Sequence, residues 1–197
     1  MHATAIMALS PLDGRYQEKT KQLRVICSEY GFIRFRLMVE IHWFQMLHDS
    51  RALPELSPLT ANTRKILDAL VEHFSEAEAE RVKTIEAELK HDVKALEYFI
   101  KESLSHHAEL REASEFIHFG CTSEDINNLA YGLMLNTLRE TYFLPILNQL
   151  LASLKHMAHA HATLAMLART HGQPASPTTV GKEFANIAAR IERQIEQ

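Results

Sequence analysis

The chain has 197 residues, 46% of them apolar, and is therefore long enough to bury a substantial core. Charged residues make up 23% and the net charge is −4. This balance does not favour disorder, and the absence of an evident basic face argues against nucleic acid as the main partner. Glycine and proline number only six each, a scarcity that favours helices over a turn-rich β fold.

The twelve histidines and two cysteines raise the questions of metal binding and of redox compartment. The densest histidine cluster is His156, His159 and His161, of which only the first two share a helix face. No HExxH or cysteine–histidine spacing is present, so we expect no metal site. Cys27 and Cys121 form no CxxC pair, which predicts reduced thiols and a cytoplasmic protein. We find no signal peptide and no apolar run long enough to span a bilayer, so we expect no membrane partner.

In chain order, Ser10–Tyr16 (SPLDGRY) predicts a turn that presents Arg15 and Tyr16. Apolar residues at steps of three and four predict a helix from Val25 to Leu47. Thr60 or Asn62 can cap a shorter helix, and Ser75-Glu76-Ala77-Glu78 fits a capping box.

The next helix is predicted to start at Asp92, as N-cap. His91 would then precede a helix N-terminus, where free N–H groups favour an anion, although capping alone also explains Asp92. We place a domain boundary near residue 111, which gives domains 1–111 and 112–197.

Thr122 or Ser123 can cap a further helix, and their hydroxyls beside bare N–H groups can also form a neutral pocket for a carboxylate. A stripe from Ile126 to about Met157 predicts a long bundle helix, kinked or broken at Pro145.

The stretch 168–177 (ARTHGQPASP) is predicted to be a polar loop between two helices, with His171 either incidental or catalytic. Ser176 as N-cap and Pro177 at the first position would open the last helix. An apolar seam from Val180 to Ile195 needs a partner helix, and because the chain stops within it, we expect a truncated product.

Four segments in this order and spacing resemble the adenylosuccinate lyase family of the fumarase/aspartase superfamily. They are Ser10–Tyr16 (SPLDGRY), His91–Phe99 (HDVKALEYF), Thr122–Asn128 (TSEDINN) and Arg169–Pro174 (RTHGQP). The resemblance covers nearly the whole chain and implies an all-α fold, in which a small N-terminal helical domain precedes the first long helices of a bundle that assembles into a homotetramer. It also implies the elimination of fumarate from adenylosuccinate, giving AMP, and from the succinylated carboxamide ribotide of purine biosynthesis, with no metal or organic cofactor.

The resemblance also implies roles for individual residues. His171 corresponds to the acid that protonates the leaving nitrogen, and Thr170 would help to orient the substrate. Arg15 matches a binder of the substrate phosphate, with Tyr16 beside it.

The remaining matches are also substrate-binding. Thr122 and Ser123 would hold the carboxylate charge that develops on proton removal. His91 and Asp92 match a segment that touches the substrate, and Lys90 stands where relatives often have an uncharged residue. The family's catalytic base is a serine in a downstream loop that does not occur in these 197 residues, so we expect this chain alone to be inactive or nearly so. The alternatives are a non-catalytic helical association module and a sister lyase with another succinyl or aspartyl substrate.

Overall fold

The structure, a computed structural model, describes residues 5–197 and divides them into two compact units, one ending at Asn136 and one beginning at Thr137. The domain division at residues 1–111 and 112–197 stays a prediction. Short 3₁₀ turns occur at Ala5–Met7, Lys21–Leu23 and Ser114–Phe116. The α-helices are α1 (Gln17–Thr20), α2 (Arg24–Cys27), α3 (Glu29–Ser50), α4 (Ala61–Glu72), α5 (Glu76–Leu89), α6 (Asp92–Leu104), α7 (Ala108–Glu112), α8 (Ser123–Leu138), α9 (Leu144–Ala160) and α10 (Val180–Glu196).

The predicted all-α class is confirmed, with one small antiparallel sheet added to it. The sheet consists of β1 (Ala165–Thr170) and β2 (Gln173–Thr179) and belongs to the second unit.

The core of the first unit is organised around α3, which packs against α4, α5 and α6. Leu37, Ile41 and Phe44, at helical spacing, are almost completely buried. The predicted stripe therefore marks the core-facing side of a helix, as expected.

That helix does not begin at Val25, because the helical conformation is interrupted at Ser28. Ser28 has an extended backbone and its hydroxyl accepts a hydrogen bond from the Gly31 N–H at 3.3 Å, so it caps α3. A Cβ at Gly31 would lie 2.3 Å from the Ile26 carbonyl oxygen. The glycine thus permits α2 to fold back closely onto the first turn of α3.

Of the caps predicted for α4, α5 and α6, two are confirmed and one is wrong. Thr60 caps α4, and Ser75 and Glu78 form both halves of the predicted capping box at α5. Asp92, however, is the first residue of α6, and the N-cap is His91. The reason is that the His91 imidazole Nδ1 accepts the Lys94 N–H at 3.2 Å, in the place where a carboxylate was expected as acceptor.

The long helical stripe after Ser123 is confirmed, with an irregularity before Pro145. The chain is helical through α8, a π-helical turn at Arg139–Phe143, and α9. Proline has no N–H to donate and its ring crowds the preceding turn, which the wider π turn accommodates.

The predicted loop at 168–177 is wrong, because these residues form the β-hairpin. Its two-residue turn is His171-Gly172, both at positive φ (48° and 78°), as a type I′ turn requires. The predicted helix start at Ser176-Pro177 is also wrong. Thr179 caps α10 by accepting the Lys182 N–H at 3.1 Å, because β2 keeps residues 173–179 extended.

In the second unit, α9 and α10 pack against each other. Leu151 and Leu154 of α9 and Ala188 of α10 form a buried cluster, onto which further seam residues pack. A Cβ at Gly181 would lie 2.3 Å from the Ala158 carbonyl oxygen, so glycine allows the two helices to meet closely there. The seam of α10 therefore has the partner helix that its spacing required.

Candidate functional site

The turn that carries Arg15 and Tyr16 is closed by local backbone bonds. The Asp13 and Gly14 N–H groups both donate to the Ser10 carbonyl, at 3.1 and 3.0 Å. The Arg15 guanidinium lies 5.3 Å from the centre of the Tyr16 ring, within cation–π distance, and both side chains are exposed. An exposed guanidinium beside an aromatic face is able to bind an anion such as a phosphate.

Lys90, His91 and Asp92 form the sharp junction between α5 and α6. Lys90 is left-handed, with φ of 58°, and ends α5, while His91 is extended and caps α6. Because His91 Nδ1 accepts the Lys94 N–H, the neutral ring carries its proton on Nε2. The half-exposed imidazole can therefore donate a hydrogen bond to a ligand oxygen without releasing the helix cap.

Thr122 and Ser123 follow a strained turn. His118 and Gly120 both have positive φ, of 63° and 72°, and the chain then enters α8 at Ser123. The Thr122 N–H donates to Asp125 Oδ2 at 2.8 Å, the bond that forms the carboxylate half of a capping box. Both hydroxyls therefore lie at a helix N-terminus, where the backbone dipole favours negative charge.

Arg36 of α3, which is not among the predicted site residues, connects these two helix starts. Its Nη2 donates to Asp92 Oδ2 at 2.6 Å and its Nε donates to Asn127 Oδ1 at 2.8 Å. Its guanidinium carbon also lies 3.8 Å from the centre of the Phe32 ring. Arg36 itself is buried, whereas Asp92 and Asn127 are partly exposed, so the contacts lie at the edge of the core of the first unit.

The contact with Arg36 helps to lower the pKa of Asp92. Burial alone would raise the pKa of this carboxyl, but the Val93 N–H and the Arg36 guanidinium outweigh it and hold the pKa below its ordinary value. Asp92 is thus a carboxylate at neutral pH, paired inward to Arg36.

Glu40, one turn after Arg36 on α3, reaches the turn that precedes Thr122. Its Oε1 lies 2.6 Å from His118 Nδ1, and its side chain is completely buried. Burial raises the pKa of Glu40, although His118 opposes the shift. Among residues 5–197, Glu40 Oε2 is buried without a hydrogen-bond partner, which costs more free energy for a charged carboxylate than for a protonated carboxyl.

Thr170 and His171 lie in the second unit, at the tip of the hairpin. Thr170 pairs with Gln173 across the turn, and His171 occupies the first turn position, where it is exposed. A two-residue turn fixes the backbone of His171, while leaving its imidazole free to meet a ligand. Of the nine predicted site residues, the contacts therefore bring Asp92 and the start of α8 together through Arg36, and place Thr170 and His171 side by side.

The sequence contains one sign that Arg36 and Glu40 are paired in the core. They are charged residues four positions apart within the strongly apolar α3, and charged side chains on a buried face occur when they are paired. Their partners are 56, 91 and 78 positions away, a pairing that spacing alone cannot supply.

Within residues 5–197, the structure contains no group of three or more histidine, cysteine or acidic side chains arranged to hold a metal ion. In the same range, no helix has the length and apolar character needed to cross a membrane. Both cysteines are free thiols.

A family model described as "Lyase" matches residues 14–197. The chain belongs to this lyase family. Over its whole length it is 49% identical to adenylosuccinate lyase of Haemophilus influenzae and 50% identical to adenylosuccinate lyase of Escherichia coli K12. In both comparisons it spans 43% of the length of the relative.

Solved structures support the lyase fold. The 3-carboxy-cis,cis-muconate lactonizing enzyme from Pseudomonas putida matches with a TM-score of 0.68 at 20% identity, covering 89% of this chain and 38% of that one. A fumarate lyase from Mesorhizobium sp. BNC1 matches with a TM-score of 0.65 at 21% identity, covering 89% and 39%. At this level of identity the similarity concerns the fold alone.

Proposed function

We propose that the full-length protein to which this chain belongs is an adenylosuccinate lyase. The observation that carries the proposal is the identity of about half of all residues, over the entire chain, to two adenylosuccinate lyases. The substrate would be adenylosuccinate, with the succinylated carboxamide ribotide as a second substrate in purine biosynthesis, and the products would include fumarate. No cofactor takes part in the proposed reaction.

The proposed reaction is a β-elimination in which each group has a defined task. A base removes the proton α to a carboxylate, the electron pair forms the fumarate double bond, and the C–N bond breaks. His171 donates a proton to the leaving nitrogen, a role suited to an exposed imidazole on a fixed turn. Thr170 beside it would orient the substrate. The catalytic base is proposed to be a serine outside this chain.

The other predicted residues are proposed to bind the substrate. Arg15, with Tyr16, would bind the phosphate. Thr122 and Ser123 would stabilise carboxylate charge at the N-terminus of α8, since oriented donors are most effective where charge develops. The junction from Lys90 to Asp92 would contact the succinyl group, with His91 Nε2 as a donor.

Fumarate release tests the proposal directly. The full-length protein encoded by the reading frame of this chain is expected to convert adenylosuccinate to AMP and fumarate. The absorbance of the released fumarate measures the reaction. Purified residues 1–197 are expected to be inactive or nearly so. Turnover by residues 1–197 at the rate of the full-length protein would refute the assignment of the base to a segment outside them.

A sister lyase with a different substrate is the alternative within the same chemistry. AMP has the same phosphate and purine groups as adenylosuccinate, so AMP should bind to the full-length protein. The affinity for AMP should fall in the Arg15→Gln variant. Arg111→Gln, an exposed arginine outside the predicted site, is the matched control. Absence of AMP binding would favour the sister lyase.

An association module is the second alternative, and one observation favours association in general. Several large apolar side chains of the second unit are exposed, among them Ile146, Leu150 and Ile187. We propose that the full-length protein is a cytoplasmic homotetramer. Sedimentation of the full-length protein should give a tetramer, and an oligomer without any lyase activity would favour the non-catalytic module.

A further inference from the structure

Arg36 is a buried cation whose contacts all lead to helix starts or to a stacked ring. Removing a guanidinium from water is costly unless it is paired and hydrogen-bonded. Arg36 has an ion pair with Asp92, a hydrogen bond to Asn127 and a cation–π contact with Phe32. Phe32 in turn stacks on Tyr131 of α8, with ring centres 4.4 Å apart.

These contacts join three elements at a defined geometry. Asp92 is the first residue of α6, directly after His91, and Asn127 lies in the second turn of α8, shortly after Ser123. A guanidinium is planar and rigid, so the Nε and Nη2 directions fix the two helix starts relative to each other. A lysine at this position offers one ammonium and cannot reproduce both directions.

We propose that Arg36 is a positioning residue for the substrate-binding groups at His91–Asp92 and Thr122–Ser123. It holds the start of α6 and the start of α8 in one register, so that both present their groups to the same substrate. The positioning of the helix starts rests on the structure alone, whereas its effect on catalysis rests on the proposed function.

The first test concerns the coupling of the two helix starts in residues 1–197. Amide hydrogen exchange is measured at the start of α8 in four proteins: the unsubstituted chain, Asp92→Asn, Arg36→Met and the double variant. Asp92→Asn should change exchange at residues 123–127 by at least about threefold, and this effect should vanish when Arg36 is already Met. An equal effect of Asp92→Asn in both backgrounds would overturn the coupling.

The second test concerns catalysis in the full-length protein. Arg36→Met and Arg36→Lys should each raise KM for adenylosuccinate by about tenfold or more, with a smaller change in kcat, because misplaced binding groups weaken binding before they affect chemistry. Arg81→Met is the matched control, since Arg81 is exposed and its ion pair with Glu102 lies on the surface. Unchanged KM in both folded Arg36 variants would refute the positioning role.

Two further observations keep the outcomes separate. If Arg36→Met does not fold, Asn127→Ala removes the contact between Arg36 and α8, together with the exposed bond from Asn127 to Glu124, and keeps the ion pair of Arg36 with Asp92. This variant should also raise KM. If the unsubstituted full-length protein releases no fumarate, the proposed function fails, while the exchange experiment still decides whether Arg36 couples the two helix starts.

Discussion

Glu40 Oε1 and His118 Nδ1 lie 2.6 Å apart inside the first unit, and this contact secures the turn that leads to Thr122 and Ser123. His118 has a φ of 63°, a conformation that costs a non-glycine residue free energy. A buried hydrogen bond to Glu40 offsets part of that cost. The contact therefore ties a strained turn to α3, the central helix of the core.

The Glu40 carboxyl should give the stability of residues 1–197 a recognisable pH dependence. Its pKa in the folded state is raised above the ordinary 4.5. Between these two pKa values, the folded state therefore holds a proton that the unfolded state has released. The stabilisation from this proton is complete below about 4.5 and is lost as the pH rises through the folded-state pKa.

Glu40→Gln should remove that dependence. As the pH rises above about 4.5, the unfolding free energy of the unsubstituted chain is expected to fall relative to that of Glu40→Gln. Urea titrations across this range measure it, with the exposed Glu72→Gln as control. A difference that grows in favour of the unsubstituted chain would contradict the raised pKa.

Gly31→Ala should destabilise residues 1–197 by about 1–3 kcal/mol, because the new methyl group would collide with the Ile26 backbone. Gly132→Ala is the matched control on α8, where the added Cβ has nothing within 4 Å. That change should stabilise the chain by up to about 1 kcal/mol, since alanine is the better helix former. Chemical denaturation distinguishes the two, and equal effects would refute the close approach at Gly31.

His171→Asn should separate the chemistry of His171 from the geometry of its turn. Asparagine tolerates positive φ, so the hairpin should persist, whereas a β-branched residue would strain it. In the full-length protein we expect His171→Asn to lower kcat by about 10²–10⁴-fold while AMP binding is kept. The exposed His106→Asn is the control, and loss of binding with unchanged turnover of bound substrate would exclude the acid role.

Cys27 should react with iodoacetamide faster than Cys121. Cys27 is exposed, whereas burial and the Glu40 and Asp125 carboxylates raise the pKa of the Cys121 thiol and reduce its thiolate population. Mass spectrometry of tryptic peptides at increasing times gives both rates. Faster alkylation of Cys121 in the folded chain would contradict the raised pKa.

Local features of the fold can be predicted from the amino-acid sequence. Helical periodicity located α3 and the long stretch from α8 to α9, and side-chain chemistry identified the caps at Thr60 and Ser75, because these depend on residues within one or two turns. The four motifs led to the lyase family, which the family match confirms.

The errors arose where several local arrangements compete. His91 took the N-cap position that Asp92 was expected to hold, since either side chain can accept a backbone N–H at a helix start and the local sequence does not decide between them. The stretch around His171 has prolines and few apolar residues, a composition typical of a loop. In the structure, pairing between β1 and β2 makes it a hairpin.

Which distant polar groups meet depends on the folded structure. The contact of Arg36 with Asp92 and Asn127, and that of Glu40 with His118, join residues far apart in the chain. Burial makes such partners necessary, because an unpaired charge inside the core is costly, but it does not say which residue supplies them. That choice depends on how α3, α6 and α8 pack, and packing is a property of the folded chain.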